Sequence, residues 1–245
     1  MKTYIIGDIH GAALALEQVL DWSNFDFKKD RLIHIGDVCD GWSETPECVD
    51  ILLKVKNLIP IRGNHDVWCY DWFERGWTPI LWTQQGGQAT IDAYVRTGQI
   101  VDKRHREFWQ SQIDYYLDED NRFYVHGGWD YRCNINFLEE GLLSVNAGSI
   151  AKECHWDRSL LAGAASASNG GRKNDNIFNA TKVYKDVFIG HTATRDHLPH
   201  QYGNLWNLDS GAGWAGKLTI MDVETKEFIQ SDFCADLYPD EKGRR

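Results

Sequence analysis

No stretch of this sequence approaches the ~20 consecutive apolar residues of a membrane-spanning helix. The opening run, which follows Met1-Lys2-Thr3 and ends at Gly7, is also too short for a secretory signal. Basic residues are outnumbered: 26 Lys and Arg against 36 Asp and Glu give a formal charge of −10. Such a surface repels a polyanion, and no local basic patch offsets this, which argues against a nucleic-acid partner. Closely spaced cysteines are missing too. Cys39, Cys48, Cys69, Cys133, Cys154 and Cys234 never come nearer than nine residues, so there is no C-x-x-C and no thiolate zinc knuckle. Internal repeats and low-complexity linkers are absent. These absences describe a cytoplasmic chain with reduced thiols, without membrane or nucleic-acid partners.

What is present fits a folded unit. The 245 residues are 42% hydrophobic and 25% charged, ordinary globular usage, and numerous enough to bury a core without disulfide staples. Residues 1–235 read as one domain and 236–245 as a polar C-terminal tail, whose acidic part, 236–241, is expected to be solvated. Eleven tryptophans are expected mostly in the core or at interfaces.

The first third alternates. Strand patterns at 2–6, 31–35 and 58–61 are separated by helical spacing at 12–22 and 44–56, with Ser43 available to cap the second helix. This β-α-β-α-β rhythm predicts parallel strands with right-handed crossovers. Residues 66–117 have mostly helical spacing, including 104–117. Strand patterns return at 123–125 and 186–189, and those at 205–208, 217–223 and 227–230 look like antiparallel hairpins. The small, Gly-rich stretch 162–174 reads as an exposed loop. The fold class is therefore α/β: a two-sheet sandwich flanked by helices.

Five short motifs stand where strand patterns end. They are Gly7-Asp8-Ile9-His10-Gly11, Gly36-Asp37-Val38-Cys39-Asp40-Gly41, Gly63-Asn64-His65-Asp66, His126-Gly127-Gly128 and Gly190-His191-Thr192. Ligands of open α/β sheets bind at the carboxyl ends of strands, so these side chains should converge on one crevice. Asp8 to Asp37 is 29 residues and Asp37 to Asn64 is 27, each about one βαβ unit. Oxygen and imidazole donors without thiolate suit Mn, Fe, Zn, Co or Ni better than Ca or Cu(I). There are more candidate ligands than one ion can use, which points to two ions sharing a carboxylate.

This set resembles the calcineurin-like metallophosphoesterases. Within them it is similar to the phosphoprotein phosphatase branch, with its GDxHG, GDxxDRG, GNH(D/E), HGG and late His. The branch includes bacterial and bacteriophage-type Ser/Thr protein phosphatases and diadenosine tetraphosphatase-like enzymes. The likeness runs from residue 2 to about 230. It implies the metallophosphoesterase sandwich and two divalent ions, manganese first. Asp8, His10 and Asp37 would hold one ion; Asp37, Asn64, His126 and His191 would hold the other, with Asp37 bridging. By the same resemblance His65, beside Asp40, faces the leaving group, and Arg62 and Arg158 (within Trp156-Asp157-Arg158, similar to the family's W-x-R element) bind the phosphate. The implied activity is hydrolysis of phosphomonoesters, on a phosphorylated protein or a small molecule, by direct attack of a metal-bridging hydroxide. A dinucleoside polyphosphate hydrolase is the alternative, and a metal-binding scaffold without turnover is the third reading. One departure stands out: where the family has Arg after the second Asp of GDxxDRG, this chain has Gly41-Trp42. The segment from Asn207 to Trp214 in turn looks like the family's "DTG" element.

Other residues have plainer readings. His34 and His105 are expected to be satisfied structural residues, Cys39 to be packing, and His197 and His200 to lie at the surface; His155 has no motif around it. Trp42, Trp68, Trp129 and Trp214 directly follow motifs. They either rim the crevice, stacking a base or aromatic leaving group, or seal the core beneath it.

Overall fold

The computed structural model describes residues 1–131, 153–168 and 180–244. The first sheet contains β1 (Thr3–Ile6), β2 (Arg31–His34), β3 (Asn57–Pro60), β9 (Thr219–Asp222) and β10 (Phe228–Gln230), in the order β10-β9-β1-β2-β3. The second contains β4 (Tyr115–Leu117), β5 (Arg122–Val125), β6 (Asp186–Ile189), β7 (His200–Tyr202) and β8 (Leu205–Asn207), in the order β4-β5-β6-β8-β7. Strands β1, β2 and β3 run parallel, as the βαβ rhythm predicts, and so do β5, β6 and β8. The antiparallel β9–β10 pair also matches expectation. Strand β8, however, joins the other sheet, between β6 and β7, rather than forming a hairpin with β9.

Period-2 alternation sorts the strand residues between layers. Ile5, Ile33 and Met221 of the first sheet face Tyr124 and Phe188 of the second in one inter-sheet core. Tyr124 and Phe188 are register partners, and their rings stack 5.0 Å apart. On the outer side of the first sheet, Tyr4, Ile6 and Leu32 pack with residues of α1 (Ala13–Trp22), α2 (Thr45–Leu52) and α3 (Asn64–Arg75). Outside the second sheet, Phe123, Val187 and Leu205 pack with Leu160 and Ala164 of α7 (Ser159–Ser168). Between β3 and β4 the chain builds α4 (Ile80–Trp82), a π-helical turn (Thr83–Gly87), α5 (Gln88–Thr97), a 3₁₀ turn (Gln99–Val101) and α6 (Lys103–Ser111). The last helix is the short α8 (Cys234–Leu237).

Three local expectations fail for identifiable reasons. Helix α6 ends at Ser111 and Gln112 turns extended (ψ 137°), so Tyr115–Leu117 is a strand paired with β5; its aromatic residues favour the pleated sheet. Residues 162–168 belong to α7, because the alanines that made the stretch look like a loop are the best helix formers; the rest of that stretch, 169–174, lies outside the described residues. Ser43 does not cap α2: its N–H and hydroxyl both bond the Glu241 carboxylate. That contact belongs to a larger correction. In the 236–241 segment Asp236 and Asp240 are exposed, as expected, but the segment is pinned to the domain at Tyr238 and Glu241. Tyr238 is buried, stacks on Trp42 at 4.9 Å, accepts the Leu14 N–H at its hydroxyl and donates to Glu44.

Candidate active site

The carboxyl ends of all six parallel strands open onto one crevice. Asp8 follows β1, Asp37 β2, Asn64 β3, His126 β5, His191 β6 and Asp209 β8. All six are buried. His10, Asp37, Asp40 and His191 have left-handed backbones (φ 54°, 57°, 74° and 69°). Outside glycine this conformation costs of order 1 kcal/mol per residue, held here by the surrounding bonds. Two glycines permit the close approach: a Cβ at Gly63 would collide with Asp37 Oδ1, and one at Gly190 with Asp8 Oδ1.

The donors fall into two groups that share Asp37. Asp8, His10 and Asp37 present atoms within 4.8 Å of one another, and so do Asp37, His126 and His191. The imidazoles are oriented from behind. His10 Nδ1 donates to the Cys39 carbonyl (2.9 Å) and His126 Nδ1 to the Ile35 carbonyl (2.9 Å). Each therefore points Nε2 at Asp37 Oδ2, at 3.6 and 3.4 Å. Asn64 Oδ1 lies 3.1 Å from His126 Nε2. His191 is placed by its backbone N–H on the Asp8 carboxylate (3.1 Å), and its buried Nε2 has no hydrogen-bond partner among the described residues.

Electrostatics set these groups apart from ordinary buried residues. Burial opposes ionisation of Asp37, but His126, His65 and His10 together hold it well below the usual carboxylate range. Burial and the facing Asp209 push Asp8 well above that range. Burial also lowers His126, but the charges of Asp37 and Asp8 override it and hold that imidazole up at about 9. His191 is driven by burial down to about 2, so its lone pair is available. A cluster of carboxylates with an orphaned, neutral imidazole nitrogen is the donor set that a divalent cation satisfies, and backbone carbonyls behind the ligating rings are the usual support.

Asp66, to which the sequence reading gave no role, clamps the loop that carries Asp37. Its carboxylate accepts the N–H groups of Asp37 (2.8 Å), Val38 (2.9 Å) and Gly63 (3.0 Å), and the Gln112 side chain (3.0 Å). Asp37 Oδ1 in turn accepts the His65 N–H (2.9 Å) in the first turn of α3, where orphan donors and the helix dipole favour an anion. The second missed group supports His65. His65 Nδ1 lies 2.6 Å from Asp40 Oδ2, as its motif predicts. Trp82 Nε1 (2.7 Å) and Thr90 Oγ1 (2.8 Å) also donate to the Asp40 carboxylate. Both come from the helical insert, remote in sequence.

The predicted phosphate-binding arginines are both anchored. Arg62 Nη2 donates to the carbonyls of Gln112 (3.0 Å) and Trp109 (3.4 Å), with its guanidinium over the Tyr70 ring (4.9 Å). Arg158 Nη1 donates to Thr192 Oγ1 (2.8 Å) and the His191 carbonyl (3.1 Å). It borders a hollow of about 560 Å³ whose walls include Leu161, Ala165 and Tyr202. The tryptophans divide. Trp42 and Trp129 are buried: Trp42 lies under Tyr238 with its N–H on the Ala212 carbonyl, and Trp129 packs edge-on to Phe123. Trp68 is buried against His65 and meets the edge of Trp156, which is 41% exposed; Trp214 is 45% exposed.

The remaining histidines refine the plainer readings. His105 is satisfied by the Tyr94 hydroxyl and its neighbours, whereas neither ring nitrogen of buried His34 meets hydrogen-bond geometry; burial pushes it down to about 3. His155 is buried beside Asp114 (3.1 Å). His197 and His200 are half-buried, the former with Nδ1 at 3.2 Å from the Ser210 carbonyl. Cys39 is buried packing, as expected.

The Calcineurin-like phosphoesterase family matches residues 1–204. The chain belongs to this family. A symmetrical bis(5'-nucleosyl)-tetraphosphatase of Coxiella burnetii (strain RSA 331 / Henzerling II) is 35% identical, over 92% of this chain and 90% of its own. That of Actinobacillus succinogenes is 37% identical over 94% and 97%. Among solved structures, one titled a putative diadenosine tetraphosphatase superposes with a TM-score of 0.62 at 17% identity, covering 94% of this chain and 92% of that one. A protein serine/threonine phosphatase of Saccharomyces cerevisiae gives 0.59 at 17% identity, covering 100% and 83%. The two mixed sheets flanked by helices are the metallophosphoesterase sandwich, and the chain is a hydrolase of this family. No helix among the described residues is long and apolar enough to cross a membrane.

Proposed function

We propose that this metallophosphoesterase hydrolyses phosphate monoesters with poor leaving groups, on a phosphorylated protein or a small molecule. Asp8, His10 and Asp37 hold one divalent ion; Asp37, Asn64, His126 and His191 hold the second. When bound, the two cations supply charge neutralisation at the phosphoryl oxygens and a water of lowered pKa. Manganese suits the mixed carboxylate, amide and imidazole donors, with Fe, Zn, Co and Ni as alternatives. The chain's own residues do the rest. Asp40 fixes the His65 ring through Nδ1, leaving Nε2 to give a proton to the departing oxygen. Arg62 and Arg158 orient the phosphate from opposite sheets.

The observation that carries this reading is the His65–Asp40 pair. Trp82 and Thr90 hold its carboxylate rigid. A preorganised acid helps most when the leaving group is an alkoxide, and little when it is a nucleotide phosphate. A dinucleoside polyphosphate substrate is the second reading. The names of the curated relatives favour it, as do the exposed rings of Trp156 and Trp214 and the hollow beside Arg158. A panel of phosphoserine peptide, nucleoside monophosphates and diadenosine tetraphosphate, assayed with manganese, tests the choice. The expected result is higher kcat/KM on the monoesters. A preference for diadenosine tetraphosphate overturns it in favour of the second reading, and no turnover of any member returns the chain to a metal-binding scaffold.

A further inference from the structure

The guanidinium of Arg244 enters the crevice from a segment 234 residues away from His10 in the chain. It arrives at the place where the second motif lacks an arginine. A Cβ on Gly41 would sit 3.0 Å from Arg244 Cγ, so the arginine stem lies over the glycine that replaces the family's Arg. A Cβ on Gly213 would sit 3.0 Å from Arg244 Cδ and collide with His10 Cδ2. The two glycines thus form the slot through which the side chain reaches inward. The Arg244 N–H on the Gly213 carbonyl (2.9 Å) fixes its backbone, and the Trp214 ring, 5.0 Å from the guanidinium, supports its charge.

The head of this side chain is underused. Its Nε is buried without a partner among the described residues, and its charge acts on the buried carboxylate of Asp209, with which it makes no hydrogen bond. Among the described residues its one side-chain bond is from Nη1 to His10 Nε2 (3.2 Å). Because His10 Nδ1 already donates to a carbonyl, Nε2 is an acceptor, and it is the atom with which His10 would hold an ion. A permanently charged fork held beside that atom is matched to an anion with several oxygens. We propose that Arg244 is a substrate-phosphate clamp that supplies, from a distant segment, the contact Gly41 cannot make. It leaves His10 Nε2 for the phosphate when His10 takes up its ion. The assignment rests on the two-ion reading above and is independent of which phosphate ester is the substrate.

The test uses the full chain loaded with manganese and inorganic phosphate as the probe. Binding is measured by calorimetry and metal content by elemental analysis. Arg244→Gln keeps the stem; it should raise the phosphate Kd roughly 10–100-fold, the size of a lost charge-assisted pair, with manganese content unchanged. Arg244→Lys should recover little of this, since an ammonium cannot form the planar fork. Trp214→Leu, which keeps the arginine and removes its support, should fall between. A phosphate Kd within about twofold of the unsubstituted chain in Arg244→Gln overturns the clamp. So does tighter manganese binding without a phosphate effect, which would make Arg244 a plug in the ion site. If the unsubstituted chain takes up no manganese, the two-ion reading fails first and the clamp falls with it.

Discussion

The two sheets meet the crevice differently. On the first, Asp37, Asp40 and His65 sit in a closed web, in which Asp66 gathers three backbone N–H groups and Asp40 accepts from Trp82 and Thr90. On the second, His191 presents a nitrogen with no partner among the described residues, and Arg158 is held by one hydroxyl and one carbonyl. The first side is built before any ligand arrives. Spare capacity lies at His191 on the second and at the Arg244 head beside His10, and a cation and a phosphate would use it. On the proposed reading, the first sheet would fix the acid and the shared carboxylate, and the second would complete the binding of what comes in.

Removing the ions should break both sides at once. Chelation of the manganese-loaded chain should lower turnover by roughly a thousandfold or more, since one lost preorganised donor already costs about 10²–10³. Added manganese should restore it. Turnover on p-nitrophenyl phosphate before and after dialysis checks this, and activity that survives complete metal removal would exclude the site.

His65→Asn strikes the prebuilt side alone. It should keep both ions yet lose about 10²–10⁴-fold in kcat on an alkyl phosphate, and less on p-nitrophenyl phosphate, whose leaving group departs as a stable anion. The ratio of the two losses, with metal content measured alongside, is the readout. Equal losses would remove the acid role; a lost ion would make His65 a ligand.

Arg62 compares the sheets directly. If it orients phosphate, Arg62→Ala should cost roughly 2–4 kcal/mol of transition-state stabilisation, and Lys should rescue poorly. Steady-state kinetics of both variants decide it. Wild-type activity in Arg62→Lys would assign the residue to the carbonyls of Trp109 and Gln112.

The smallest effect concerns aromatic contact with substrate. Trp156→Ala should raise KM for diadenosine tetraphosphate about two- to tenfold, the worth of one aromatic pair, and leave phenyl phosphate nearly unchanged. Trp42→Phe should change neither KM, because that ring lies in the core under Tyr238. A KM effect at Trp42 would contradict the packing.

How far the molecule could be read in advance follows the same division. The parallel core of the first sheet and the residues the crevice brings together were legible because each motif ends a strand, and its short side chain can only point outward there. Asp209 also lay in a strand-end element, but its motif was read as a likeness rather than as a side chain in the crevice. The supports were not legible. Trp82 and Thr90 sit on helices whose spacing speaks only of their own buried face, and their bonds to Asp40 span 42 and 50 residues. The acidic stretch 236–241 reads as solvated from its charges, and Asp236 and Asp240 are exposed, but the anchoring of 238–244 has no local signal. What holds it is Tyr238 on Trp42, Glu241 on Ser43 and Arg244 at His10, none of which has a local pattern. Strand β4 is hidden because its aromatic residues continue the helical spacing of 104–111, and β7, His200–Tyr202, carries no apolar alternation of its own.

The account turns on one carboxylate serving two ions. Elemental analysis and manganese titration of the unsubstituted chain and of Asp37→Asn test it most directly. Two equivalents per chain are expected in the first, and loss from both sites in the second, with Asn64→Ala losing mainly one. Two full equivalents retained in Asp37→Asn would contradict the shared bridge.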